Sequence, residues 1–294
     1  MRPSGDSVRC NITRSFLIML HSLFIPVGLA AVLTFTAPAS LVAHFDFEEG
    51  SGNVTNSSVG GWSGPFSGDP QWIDSGLAPV PSGTTAALAF DGDGDWIISN
   101  FAGIAGSGDR SVSFWVSSTN ALQGSGIVAW GNSTSPNGRK WHIRFNDNPG
   151  NGPQGGIRTE IQGSYEIDGI PLTDGAWHHV VSVYGSGGPF GSGQVSHYVD
   201  GVLVSDGDLN TGGDAVVVDT VTSSSVSGST YPVVLGGRHQ GALASFDGLI
   251  DEVRIYDHAL SESEVQALYQ IPEPSTLAMA FLALASGLRR RRLN

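Results

Sequence analysis

From Leu41 to Tyr256 the chain runs in short stretches where apolar residues fall at alternate positions, each ended by a cluster rich in glycine, aspartate or serine. A period of two is the repeat of a strand that buries one face, and no stretch has the longer period of a crossover helix. The runs are 41–47, 87–90, 96–99, 111–116, 126–130, 141–145, 156–162, 177–184, 195–199, 202–205, 215–221, 232–235 and 249–256. So many short strands predict an all-β fold, an antiparallel two-sheet jelly-roll sandwich. Asp200-Gly201 between two runs predicts a type I′ hairpin, whose two turn residues both need positive φ. One short C-terminal helix is expected over 261–269, with Ser261 as N-cap and Glu264 closing a capping box.

The two ends read differently. Arg9 and Arg14 precede an apolar run from Phe16 to Phe35, and Ala37-Pro38-Ala39 then offers a small-residue cleavage site. That order predicts a signal peptide over 1–39, cleaved after Ala39, and so export through the Sec translocon. An uncleaved membrane helix is the alternative, since the run is long enough to span. At the other end, Pro272-Glu273-Pro274 leads into an apolar run and then Arg289-Arg290-Arg291-Arg292. Four arginines behind an apolar segment are held on the cytoplasmic side of a membrane. The run is short for a full span, so snorkelling arginines and Ile271 have to make up the difference, and the tail (271–294) is expected to engage the inner membrane, transiently if it is later cleaved. The body occupies 40–270.

Seven of the 14 basic residues lie in those ends. Between Ser40 and Pro274 the chain keeps seven basic against 26 acidic residues, a formal net of −19. Such a body repels phosphate backbones, which argues against nucleic acid, and favours divalent cations, neutral sugars or basic partners. The one cysteine, Cys10, lies upstream of the signal core, so the body can build neither a disulfide nor a thiolate metal site.

The tail resembles the PEP-CTERM sorting signal of Gram-negative bacteria, a Pro-Glu-Pro motif followed by a membrane helix and a basic cluster. The resemblance implies that exosortase, a membrane-embedded transpeptidase-like enzyme, is a partner. It also implies release near Pro272 to Pro274 and a biofilm-forming, exopolysaccharide-producing setting. The body resembles the laminin-G-like domains of the concanavalin A-like lectin/glucanase superfamily. The resemblance rests on Phe45-Asp46-Phe47-Glu48-Glu49-Gly50, Ala89-Phe90-Asp91-Gly92, Ser111-Val112-Ser113-Phe114-Trp115-Val116, Trp177-His178-His179 and Tyr198-Val199-Asp200-Gly201. It extends to Phe246-Asp247-Gly248-Leu249-Ile250-Asp251-Glu252-Val253-Arg254. A jelly roll hosts lectins, adhesins and enzymes alike, so the fold leaves function open.

The residues of the body bear on three chemistries. Glu166-Ile167-Asp168 resembles the start of the Glu-x-Asp-x-x-Glu strand of laminarinase-type glycosidases, but Pro171 stands where the last Glu belongs. A retaining mechanism needs two carboxyls about 5 Å apart, so no catalytic residue is expected. His178 and His179 point to opposite faces of a strand and cannot share one site. For calcium, Asp91-Gly92-Asp93-Gly94-Asp95 opens like an EF-hand loop, but Trp96 and Ala102 occupy the positions that need Gly and Glu. Asp91 and Asp93 remain lesser candidates. The family resemblance points to Asp251 on the last strand, with Asp46 and Glu49 as neighbours, as a Ca²⁺ site. For glycan, Trp62 and Trp72 sit in loops where sugars can stack. The expectation is an exported, non-catalytic carbohydrate- or matrix-binding module. The alternative is a polysaccharide-active hydrolase or lyase on the same fold.

Overall fold

The computed structural model describes residues 40–74, 85–133, 139–161, 163–186, 194–208, 217–224, 227–238 and 244–270. Its strands are β1 (Leu41–Phe45), β2 (Val54–Asn56), β3 (Ser63–Ser67), β4 (Gln71–Asp74), β5 (Ala86–Asp91), β6 (Trp96–Ile98), β7 (Arg110–Ser117) and β8 (Val128–Gly131). They continue with β9 (Lys140–Phe145), β10 (Ile157–Ile161), β11 (Ser164–Ile167), β12 (His178–Gly185), β13 (Gln194–Val199), β14 (Val202–Asp208), β15 (Val234–Leu235) and β16 (Asp247–Tyr256), before helix α1 (Glu262–Tyr269).

The strands form two antiparallel sheets. The first runs β14-β13-β12-β7-β16-β5-β4, with β1 also paired to β16, and the second runs β11-β10-β9-β8-β15-β6-β3-β2. This is the expected all-β sandwich. Of the expected run 215–221, only residues 217–221 are described, and there Thr220 makes a single bridge to Gly106.

Alternation decides which residues enter the core. In the first sheet Val112, Phe114 and Val116 of β7 and Val180 and Tyr184 of β12 face inward. Trp141, Ile143 and Phe145 of β9 with Ile157 and Ile161 of β10 meet them from the second. One polar group bridges the two sheets inside this core. Thr159 Oγ1 lies 2.7 Å from Ser182 Oγ and 2.8 Å from His197 Nε2. Burial pushes His197 down to about 3, so it stays neutral and serves as a hydrogen-bonding partner.

The outer face of the first sheet is covered too. Val265 of α1 joins Val181, Val183, Tyr198, Tyr256 and Leu260 in a second apolar cluster. The Ser261 side chain accepts the Glu264 amide and the Glu264 side chain accepts the Ser261 amide, as the expected capping box requires. Tyr269, the last helical residue, stacks 6.0 Å from both Trp115 and His179. The β13–β14 turn has φ 50° at Asp200 and 78° at Gly201, the type I′ geometry its sequence predicts.

Arg110, at the start of β7, is fully buried beneath Trp130, Trp141 and Tyr184. It donates to the carbonyls of Ile104, Gly106 and Gly108 and to Thr220 Oγ1, at 2.8–2.9 Å. One guanidinium thus ties the 104–108 loop to the closed end of the sandwich.

Candidate functional site

On β9 the inward-facing Trp141, Ile143 and Phe145 leave Lys140, His142 and Arg144 on the opposite, outer face of the second sheet. The β9–β10 register sets Arg158 opposite Arg144 and Glu160 opposite His142, so these join the same face. Tyr165 and Ile167 extend it onto β11, opposite Glu160 and Arg158. Polar residues on the outer face of a sheet ordinarily meet water, yet here Lys140 and His142 are 1% exposed, Arg158 6% and Arg144 7%.

Glu160 holds this group together. Its Oε1 pairs with Lys140 Nζ, and its Oε2 takes Arg144 Nη2 at 3.3 Å and Arg158 Nη2 at 3.1 Å. Burial alone would raise the Glu160 carboxyl; Lys140, His142 and Arg158 outweigh it and hold the group far below the ordinary carboxylate range. Burial pushes the Lys140 ammonium and the Arg158 guanidinium down, and Glu160 partly offsets this in each. The Arg158 guanidinium lies 3.7 Å from the centre of the Tyr165 ring, a cation–π contact. Its Nε and Nη1 have no hydrogen-bond partner among the described residues.

The lip above these residues is the loop after β9. Asn146 is fully buried, and its Nδ2 donates to the carbonyls of Asn148, Gly152 and Pro153 at 2.9–3.0 Å. Arg144 Nη1 donates to Asp147 Oδ1 at 2.5 Å, and the Gly124 amide donates to Asp147 Oδ2 at 3.2 Å. Sheet face, lip and the 121–124 loop enclose an open cleft of about 540 Å³, lined by Gln123, Arg144, Asp147, Asn148, Asn151 and Arg158 among others. Such a set can hold hydroxyl groups through amides and carboxylate and an anion through guanidinium.

The residues singled out from sequence lie elsewhere. Glu166 pairs with Thr159, whose hydroxyl points into the core, so Glu166 faces away from the cleft and alternation sends Asp168 the same way. Asp168 is 1% exposed; its Oδ1 accepts the Ile170 amide at 3.0 Å, whereas its Oδ2 has no partner. Burial pushes this carboxyl up to about 6. A raised acid is least costly when protonated, so Asp168 opposes folding above pH 6 and stops doing so as the pH falls toward 3.8, its unperturbed value. Asp168→Asn is therefore expected to stabilise the fold by about 2–3 kcal/mol at pH 7.5. That gain should fade toward pH 4, as urea unfolding at several pH values would record. His178 reaches Asp200 at 2.9 Å and Asp174 at 3.3 Å on the surface, while His179 is buried against Ser113 Oγ at 2.9 Å. They do point to opposite faces.

The carboxylates Asp46, Glu49 and Asp251 do not converge. Glu49 Oε1 accepts the Asn56 amide at 2.5 Å and so braces the turn before β3. Asp251 is fully buried at a β-bulge on β16, where its Oδ1 accepts the Glu252 amide at 2.8 Å and Glu252 has φ 54°. Glu252 in turn meets His44 Nε2 at 2.7 Å and pairs with Arg254. Asp91, Asp95 and Asp69 are the carboxylates that do come together among the described residues, with one oxygen of each within 4.8 Å of the others. Asp93 is not among them, and Asp69 carried no signal in the sequence. Asp95 already accepts the Asp69 amide at 2.7 Å and the Asp91 amide at 3.4 Å. The indole N–H of Trp62 donates to the Val42 carbonyl with its ring stacked on Phe101, and that of Trp72 donates to the Gly52 carbonyl beside Phe66. Both rings pack against the core rather than line the cleft. Ala39, Pro272, Glu273, Pro274 and Arg289 to Arg292 lie outside the described residues.

Two packed antiparallel sheets of this topology make a jelly-roll-like sandwich. The chain belongs to the concanavalin A-like lectin/glucanases superfamily, whose laminin G family model matches residues 90–266. A PEP-CTERM protein-sorting motif matches residues 270–292, so this is an exported, cell-surface or extracellular protein with exosortase-dependent processing. Comparison with curated proteins gives no match. Among solved structures, domain 4 of a GH43 extracellular arabinanase from Geobacillus stearothermophilus, in complex with arabinotriose, is similar at 22% identity. Its TM-score is 0.53, over 79% of this chain and 99% of that one. The binding domain of Paraclostridial Mosquitocidal Protein 1 is similar at 15% identity and a TM-score of 0.51, over 78% of this chain and 51% of that one. This chain thus spans about half the length of the second structure. At these identities the likeness is one of fold.

Proposed function

We propose that the protein is a non-catalytic carbohydrate-binding module, carried through the Sec translocon of a Gram-negative cell and displayed or released into a glycan matrix. The observation that carries this reading is the polar cleft of about 540 Å³ on the outer face of the second sheet, whose lip is locked open by Asn146. Such a lip needs no reorganisation to receive a chain of sugars. The sandwich shares its fold with an arabinanase domain solved with arabinotriose, which supports the same reading.

Hydrolysis on this scaffold would need a carboxylic acid that keeps its proton near neutral pH. Asp147, which lines the cleft, and Glu160, on the same sheet face, are both held below the ordinary range: burial would raise each, but Lys140 acts on Glu160 and Arg144 on Asp147. Asp168, a raised carboxyl, faces the other way, and Asp95, also raised, does not line the cleft. This favours binding without turnover. A glycan array with the full-length protein, followed by product analysis on every glycan retained, tests it. Retention with no cleavage is the expected result, and shortened products would move the protein to the hydrolases or lyases.

Calcium belongs to the same proposal, at the Asp69–Asp91–Asp95 turn rather than at Asp251. Hard oxygens from three aspartates suit Ca²⁺, and burial raises the Asp95 carboxyl, with Asp91 and Asp69 adding to that rise. Chelation is expected to lower the melting temperature by ~2–4 °C, the shift that about 1 kcal/mol produces in a domain of this size. Asp95→Asn should remove the difference. An unchanged melting temperature would leave the turn standing on its backbone hydrogen bonds alone.

A further inference from the structure

The basic residues of the body are not spread evenly. Four of its seven, Arg139, Lys140, Arg144 and Arg158, lie on β9 and β10 or directly before β9, and Arg238 follows β15, in a chain whose stretch from Ser40 to Pro274 carries a formal net charge of −19. At the cleft the balance is reversed. Lys140, Arg144 and Arg158 stand on the sheet face. The Arg238 guanidinium lies 3.7 Å from where a Cβ on Gly124 would sit, beside cleft-lining Gln123, and its charge opposes that of Lys140. Arg144 and Arg158 thus line the cleft against one lining carboxylate, Asp147, with Lys140 paired to Glu160 on the same sheet face and Arg238 near Gly124.

Among them Arg158 is unsatisfied. It is 6% exposed, it lines the cleft, and only Nη2 of its nitrogens has a carboxylate partner. Buried guanidinium nitrogens without an acceptor are costly, and an oxyanion accepts from such an N–H more strongly than a neutral hydroxyl does. Around Arg158, Gln123, Asn148 and Asn151 offer amides of the kind that hold ring hydroxyls. The remaining surface is strongly acidic and repels a densely charged polyanion. On these grounds we propose that the cleft binds an acidic sugar residue, a uronate spaced along an otherwise neutral polysaccharide, with its carboxylate on Arg158 and its hydroxyls on the lip. This deepens the carbohydrate-binding reading and rests on it.

The experiment is calorimetric titration of the full-length protein, in mild detergent, with oligosaccharides of glucuronoxylan and with the same oligosaccharides stripped of their glucuronate. Dextran sulfate is titrated as a separate arm. The uronate-bearing ligand is expected to bind about tenfold or more tightly than its stripped counterpart, the value of one charged hydrogen bond. Arg158→Gln should abolish that preference. Arg238→Gln, at an exposed residue that cannot endanger folding, should narrow the preference and decides the matter if Arg158→Gln fails to fold. Equal binding of both xylan ligands, or a preference that both substitutions leave intact, overturns the acidic-sugar assignment and keeps the sugar-binding reading. Tighter binding of dextran sulfate than of the uronate overturns the choice of a sparse carboxylate. Binding of none of them, together with an empty glycan array, overturns the sugar-binding reading itself.

Discussion

Glu160→Gln is expected to cost about 3–5 kcal/mol of stability, because it removes the shared partner of buried cations while preserving side-chain shape. Lys140, Arg144 and Arg158 have side chains 2%, 8% and 8% exposed, and the carboxylate between them is only 19% exposed. With glutamine in its place, Asp147 would be the one remaining carboxylate among the described residues paired with any of the three, through Arg144. The charged carboxylate contributes fully above pH 4.5, the ordinary value, and its contribution is lost only as acid reaches the strongly depressed value of the folded state. Urea unfolding at pH 7 should therefore show a large loss in the variant. A change under about 1 kcal/mol would mean that water, rather than Glu160, compensates the three charges.

Arg110→Leu is expected to cost a similar amount, about 3–4 kcal/mol, for a different reason. Leucine retains apolar bulk but offers no donors to the carbonyls of Gly106 and Gly108, and it abandons the rings of Trp130, Trp141 and Tyr184. The Ile104 carbonyl keeps the Trp130 indole N–H at 3.0 Å, so loosening should concentrate after it, in the 105–109 stretch. Burial already pushes the Arg110 pKa down to about 10, yet it remains charged at neutral pH. Hydrogen exchange would register the change as faster exchange of the Gly106 amide, which otherwise donates to the Thr220 carbonyl at 2.8 Å. Unchanged protection there, with stability intact, would show that the loop holds its place without the guanidinium.

The architecture was legible where a strand buries one or both faces. The runs containing Phe114, Trp141, Val180 and Ile250 alternate cleanly, and their strands build the core. Strands β2, β3 and β4 escaped notice because Val54-Thr55-Asn56, Ser63-Gly64-Pro65-Phe66-Ser67 and Gln71-Trp72-Ile73-Asp74 sit amid glycine and serine and give no sustained alternation. β11 is not among the expected runs, because Ser164-Tyr165-Glu166-Ile167 is short and Gly169 and Pro171 follow so closely.

The site was less legible, and for a physical reason. Lys140, His142 and Arg144 read as the solvent side of an ordinary strand, since sequence gives the face of a residue but not what stands above it. Crowding of body cations between Arg139 and Arg158, in so acidic a chain, was the available signal. Conversely, Asp251 stood out as a costly buried acid, and the structure gives it a duty at the bulge of β16. Trp62 and Trp72 stood out as loop aromatics, but each spends its N–H on a backbone carbonyl of an earlier turn or strand.

Hydrogen exchange of the full-length protein, with and without a glycan retained on the array, tests the account at its centre. New protection is predicted in 121–124 and 146–152, the two loops that frame the cleft above Arg144 and Arg158. Protection confined to the segments that carry Trp62 and Trp72, the 57–62 turn and β4, with the cleft loops unchanged, would contradict it.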